Sequence, residues 1–253
     1  MKKASFGLSI FAGAVLLASC NNTKGDPNKQ KSDTKVEFNE SSFADLQLLT
    51  YEVPGWDQLT LKQKEFAYYL YEASLAGRDI FYDQRGKYNL LVRKTIEAIF
   101  NSYEGSKTGK DWVDLQTYAG EIFFNNGIYH HYSNDKIIPQ FSFEYFSGIL
   151  KNTSKDLLPL ESGETIEAFL TRVKPIFFDK DYLPKMKNTA AGIDHIVASA
   201  NNYYEGVTYE EVEAFYAKFP QSDHEPEWGL NSKVVKEDGK LVEKVWKSGG
   251  IKR

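Results

Sequence analysis

In separate stretches between Thr60 and Phe219 the large apolar residues recur every three or four positions, and beyond Asn231 the spacing falls to two. A chain with that pattern buries helical stripes over most of its length and a sheet face at its end. The run "TLKQ" from Thr60 has the form of a capping box, with the Thr60 hydroxyl on the Gln63 amide and Gln63 reaching back. In the helix it opens, Phe66, Leu70 and Ala73 share one face, and Tyr68, Tyr69 and Tyr71 widen the surface expected to be covered. A second helix is predicted from about Lys87 to Ser102 on the stripe Leu91, Thr95, Ala98 and Ile99, with Gly105 just beyond it. A third runs from about Asp111 to Phe124 on Trp112, Leu115, Ala119, Ile122 and Phe123, with Gly127 as its stop. "SFEYFSGIL" and "ETIEAFLTRVKPIFF" read as helices, the second bent or ended near Pro175. Thr208 and Glu211 form another capping box. The closing "NSKVVKEDGKLVEKVW" reads as a β-hairpin turning at Asp238-Gly239, which needs further strands that the preceding chain does not advertise. The fold class expected is α+β, mainly helical and ending in a hairpin.

The amino end carries a different message. "MKKASFGLSIFAGAVLLASC" has a basic start at Lys2 and Lys3, an apolar run from Phe6 to Leu17, and then the chain's single cysteine. That order is a secretory signal, too short for a comfortable membrane span, and "LASC" has the form of a bacterial lipobox. Residues 1–19 are therefore expected to be a lipoprotein signal peptide, with Cys20 as the lipidation site. Acyl chains, at roughly 0.8 kcal/mol per buried methylene, would hold the protein on a membrane without crossing it. The expected location is the cell envelope, on the periplasmic face because no dense acidic run follows Cys20. Residues 20–39 contain the polar stretch "NNTKGDPNKQKSDTK" and read as a flexible tether. Residues 40–253 are the expected folded part. A net charge of −4 gives no electrostatic basis for nucleic acid, and none is expected as a partner.

The residues alone provide no catalytic centre. The chain has four histidines. Adjacent His130 and His131 lack the three- or four-residue spacing of helical zinc ligands, and His195 and His224 have no ligand spacing of their own. "HEPEWG" begins like a zincin motif but places Pro226 inside it and has no second histidine. There is no G-x-S-x-G elbow and no Walker loop, and Glu210-Glu211 is accounted for by the start of a helix. No catalytic residue and no metal ligand is assigned.

What remains is "NNGIYHHYSNDKIIP", Asn125 to Pro139, where flat amphipathic rings follow a helix end. An extended backbone there would send the His130 and His131 side chains to opposite faces. Two readings stay open: tyrosines packed on neighbouring helices with histidines facing water, or a surface for peptide or sugar.

The segment "TYAGEIFFNNGIYHHYSNDKIIP" resembles a stretch of the dipeptidyl peptidase III family of zinc metallopeptidases, approximately Y-A-A-G-x-Y-x-N-x-G-N-Y-x-S-F-G-D-x-K-F-x-P. The matching positions are Tyr118, Ala119, Asn125, Gly127, Tyr129, Lys136 and Pro139. "LTLKQKEFAYYLYEASLAGRDI" is similar to the family's first long helix, and "YYEGVTYEEVEAFY" and the final hairpin follow in the family's order. The resemblance covers most of residues 40–253 and, with the lipobox, points to a Bacteroidetes-type envelope branch. It implies a two-lobed enzyme that releases dipeptides from the amino ends of short peptides. This chain would supply the amino-terminal third, with its hairpin in the barrel-containing lobe. The family's zinc motifs, H-E-x-x-G-H and E-E-x-x-A-[DE], do not occur here, so zinc is implied for the full-length enzyme and not for this segment. The family's S-F pair, part of the subsite for the substrate's first residue, falls on His131 and Tyr132. The alternative is a non-catalytic envelope lipoprotein that binds peptides or glycans through the aromatic loop.

Overall fold

The computed structural model describes residues 40–219, 231–247 and 250–251. The expected signal peptide, the expected tether with Cys20, and His224 lie outside the described residues. An antiparallel hairpin comes first, β1 (Glu40–Phe43) and β2 (Leu46–Leu49), turning through Ala44-Asp45 with Ala44 in the left-handed region. A 3-10 turn (Trp56–Gln58) leads into α1 (Leu61–Ala76) and α2 (Arg78–Arg85). Then come α3 (Asn89–Ser102), α4 (Lys110–Asn125), α5 (Phe143–Lys151) and α6 (Ile166–Phe178). The chain closes with β3 (Tyr204–Glu205), α7 (Tyr209–Tyr216), β4 (Ser232–Glu237), β5 (Lys240–Lys247) and β6 (Gly250–Ile251).

The α+β class and the mainly helical character hold among these residues. Both capping boxes are formed, Thr60 with Gln63 at the start of α1 and Thr208 with Glu211 at the start of α7. The core lies between α3, α4, α5 and α6. There Val92, Ile96 and Ile99 of α3 meet Leu115 and Ile122 of α4, and Phe146 of α5 meets Phe169, Val173 and Phe177 of α6, all fully buried. Phe141 and Phe178 close an aromatic cluster around Phe146 at centroid distances of 5.8 and 5.6 Å, near the preferred separation for offset and edge contacts.

Three expectations need correction. First, the expected face of α1 is not covered: no residue of α1 is buried, and Phe66 and Leu70 stand in solvent. Second, α6 does not end at Pro175 but runs on to Phe178. A proline in the last turn removes a single amide donor, and the carbonyls beyond it find another donor, described below. Third, the closing hairpin does find strands in this chain. β3 pairs in parallel with β4 and β6 antiparallel with β5, giving a sheet in the order β3-β4-β5-β6. Its turn residues Asp238 and Gly239 both have positive φ, 49° and 74°, the geometry of a two-residue hairpin. The sheet is fastened to α2 by the Trp246 indole donating to Asp83 at 2.8 Å and by Asn202, which bridges Asp83 at 3.3 Å and Lys233 at 2.7 Å.

Candidate functional site

The loop after α4 is built from its matched residues upward. Asn126 ends α4 in the left-handed conformation (φ 52°), one residue earlier than the expected stop, and Gly127 follows at φ 143°. The chain then reverses as a narrow ribbon: Tyr129 bridges Lys136, and Asp135 bridges Lys185 on a neighbouring segment. Ile137 donates to the Ile128 carbonyl at 2.8 Å, His130 to Asp135 at 2.9 Å, and Lys136 to Pro184 at 3.0 Å. Asn89, almost fully buried, accepts the Ile128 amide at 3.1 Å. Tyr129 is buried, with its hydroxyl on the Leu183 carbonyl at 3.0 Å. Burial raises the Tyr129 phenol well above its ordinary range, with help from Tyr182 and Tyr88.

At the tip the backbone is a tight turn, not an extended strand. The Asn134 amide closes on the His130 carbonyl at 3.0 Å, and Asn134 is left-handed at φ 62°. His130 and His131 consequently do not point to opposite faces: their ring centroids are 4.6 Å apart, and those of His131 and Tyr132 are 4.3 Å apart. The three rings form one cluster, with Phe124 of α4 edge-on to His131 at 5.4 Å.

The hydrogen bonds assign the two imidazoles opposite tautomers. Asn125 donates its amide to the Glu121 carbonyl at 2.8 Å, which turns its Oδ1 toward the loop. That oxygen accepts from the His131 backbone at 2.9 Å and lies 2.8 Å from His131 Nδ1, so the His131 proton sits on Nδ1 and its Nε2 lone pair is open. His130 Nδ1 instead accepts from the Tyr132 and Ser133 amides at 3.3 and 3.2 Å. Its proton therefore sits on Nε2, 3.3 Å from Asp45 Oδ2. Asp45 arrives on the β1–β2 turn, a hairpin held to α4 by Phe43 on Gly120, where any Cβ would come within 2.8 Å of the ring. Burial raises the Glu121 carboxyl, with Asp45 adding to the effect and His130 opposing it. Asp135 is held low by its bond to Lys185 at 2.7 Å and by Ser133.

This arrangement offers one open acceptor nitrogen, a ring wall and the exposed Tyr132 phenol, 83 % accessible. Both nitrogens of His130 are engaged, and among the described residues no group of three or more His, Cys, Asp or Glu is placed to hold a metal. His195 takes no part: its Nε2 lies 3.2 Å from the Ala190 carbonyl and its ring packs on Tyr209.

In comparisons with known proteins, the chain matches no family model and no curated sequence. Of the seven matching positions, Tyr118 and Ala119 are buried in the core from α4, Asn125 orients His131, Gly127 makes the reversal, Tyr129 pins the ribbon, and Lys136 bridges Tyr129. Sequence reasoning missed Asp45, Glu121 and Phe124. Phe124 had a signal, since it precedes Asn125 on the stripe-free side of α4, whereas Asp45 lies 85 positions from His130 by numbering and had none.

Proposed function

We propose that this chain forms part of the peptide-binding cleft of a dipeptidyl peptidase III-like enzyme, an exopeptidase of short peptides. In that reading the turn at His131 and Tyr132 is a wall for the substrate's first residue, the β4–β5 hairpin belongs to a barrel-containing lobe, and zinc is held by residues other than those described here. The observation that carries the reading is the division of labour in the loop. The residues that resemble the family build the ribbon, and the two at its subsite position are left side by side toward solvent. An amphipathic ring pair with an open imidazole acceptor suits peptide N–H groups flanking an apolar side chain.

The experiment is Tyr132→Ala with a fluorescent tetrapeptide, read by anisotropy. Losing one ring contact should weaken binding by about 1 to 3 kcal/mol. Tyr132 is exposed, so the variant should fold as the parent does. Unchanged affinity in a normally folded Tyr132→Ala protein would show that the turn is not a peptide wall.

Attachment to the envelope through Cys20 is part of the same proposal. Expressed with its signal in a bacterial host, the protein should incorporate labelled palmitate, and Cys20→Ser should not. Equal labelling of both proteins defeats the anchor.

A further inference from the structure

The two adjacent histidines meet acid in opposite ways. His131 carries its proton on Nδ1, against Asn125 Oδ1 at 2.8 Å, so a second proton enters at the open Nε2 and breaks no bond. His130 carries its proton on Nε2, toward Asp45 Oδ2 at 3.3 Å. Its one remaining lone pair, on Nδ1, accepts the Tyr132 and Ser133 amides at 3.3 and 3.2 Å. The atom that must take a second proton is therefore the atom that closes the turn. Once protonated, Nδ1 is a donor facing two donors, and both bonds are lost.

The surroundings supply both sides of this conflict. Facing the His130 ring are Asp45 on the β1–β2 turn, Glu121 on α4 and Asp135 on the ribbon. The neighbouring His131 and Tyr132 rings lie at centroid distances of 4.6 and 6.3 Å. Asp135 is already paired with Lys185 at 2.7 Å, which leaves Asp45 and Glu121 as the carboxylates that favour a charged ring. A charge on His131 opposes it, and so do the two amides, because they bond to the neutral form alone. The Nε2–H faces Asp45 in both forms, so the contact with the hairpin survives protonation while the turn does not. Below the tip the ribbon is held by other bonds, the His130 amide on the Asp135 carbonyl at 2.9 Å and Ile137 on Ile128 at 2.8 Å. The change is thereby confined to Tyr132 and Ser133.

We propose that His130 is a pH-operated catch on this loop: neutral, it holds the Tyr132–Ser133 turn closed, and protonated, it keeps Asp45 and releases that turn. The proposal concerns two amides and not peptide binding, so it stands or falls independently of the peptide reading.

Amide hydrogen exchange of the full chain, resolved by nuclear magnetic resonance and corrected for the intrinsic effect of pH, is the measurement. Between about pH 8 and about pH 5, where imidazoles change charge, protection of the Tyr132 and Ser133 amides should fall by about tenfold, in step with the His130 ring signals. His130→Asn places a side-chain oxygen close to where Nδ1 stood, which accepts amides two and three residues on and takes up no proton in this range. That variant should keep its protection at both ends of the range. Asp45→Asn, at an exposed position, removes a charge that favours the imidazolium, so the midpoint of the change should move to lower pH. Constant protection in the parent overturns the catch. A step that survives His130→Asn overturns it as well, since His131 or a carboxylate is then responsible. An Asp45→Asn midpoint that rises or stays put shows that protonated His130 does not keep Asp45, which overturns the catch as stated.

Discussion

Gly127→Ala is expected to destabilise the folded unit by about 3 kcal/mol or more, from two costs that add. Gly127 sits at φ 143°, a conformation that side-chain-bearing residues rarely adopt. A Cβ there would also stand 2.1 Å from the Asn89 amide nitrogen and 2.3 Å from its Cγ. Asn89 also lies against Gly86, where an added Cβ would meet the same amide at 2.8 Å. Displacing it breaks the bond to the Ile128 amide and leaves a buried donor without a partner. Denaturant unfolding of the variant measures the sum. The double variant Gly127→Ala with Asn89→Ala should lose less than the two single losses added, because the collision disappears while the backbone strain remains. A single-variant loss below about 1 kcal/mol would mean that the reversal after α4 is softer than its geometry.

That glycine also shows how far the sequence can be read. Features set by neighbours in the chain are legible: the Thr60–Gln63 and Thr208–Glu211 boxes, the Asp238-Gly239 turn, and the stripe of Trp112, Leu115, Ala119 and Ile122 that α4 buries. Each is a local hydrogen bond, a turn requirement or a helical period. The α1 face shows the limit of period. Spacing identifies the side that would be buried, but the presence of a covering surface depends on distant chain. β3 is illegible for the same reason, since Tyr204 and Glu205 become a strand only by pairing with Val234 and Val235.

The loop was legible in its residues and not in its path. Helix period and ring content mark Asn125 to Pro139 as unusual, but extended backbone was the wrong assumption for His130 and His131. The decisive force is the Asn125 side chain, which draws the His131 amide and ring back over the end of α4 at 2.9 and 2.8 Å. A side-chain acceptor that competes with backbone pairing turns the chain, and such competition is a property of the folded neighbourhood. The opposite tautomers follow from it. The Asp45 contact to His130 could not be anticipated, because it depends on Phe43 finding the one position of α4, Gly120, without a Cβ to exclude it.

Lys136→Met should cost about 2 to 3 kcal/mol, chiefly through the Asp179 and Tyr182 carbonyls, since Pro175 also accepts the Asp179 amide at 3.3 Å. The Lys136 ammonium donates to three backbone oxygens, Pro175 at 3.0 Å, Asp179 at 2.6 Å and Tyr182 at 2.9 Å. Pro175 and Asp179 lie at the carboxyl end of α6, where aligned peptide dipoles favour a cation. This contact ties the ribbon carrying His131 and Tyr132 to the core helix. Methionine preserves the length and much of the apolar contact while removing every donor, so the difference reports the polar role. The pH dependence carries a sign. Burial pulls the amine down to about 8, with Asp179 acting against it, whereas an unfolded lysine titrates near about 10.4. Between those values the unfolded chain binds more protons at this site than the folded one, so rising pH stabilises the parent through Lys136 and does nothing through methionine. The stability gap between parent and variant should therefore widen from pH 8 toward 10.4, other titrations cancelling in the difference. Parallel stability curves across that window would mean that Lys136 keeps an ordinary proton affinity in the fold. A variant as stable as the parent would mean that the three carbonyls are satisfied without it.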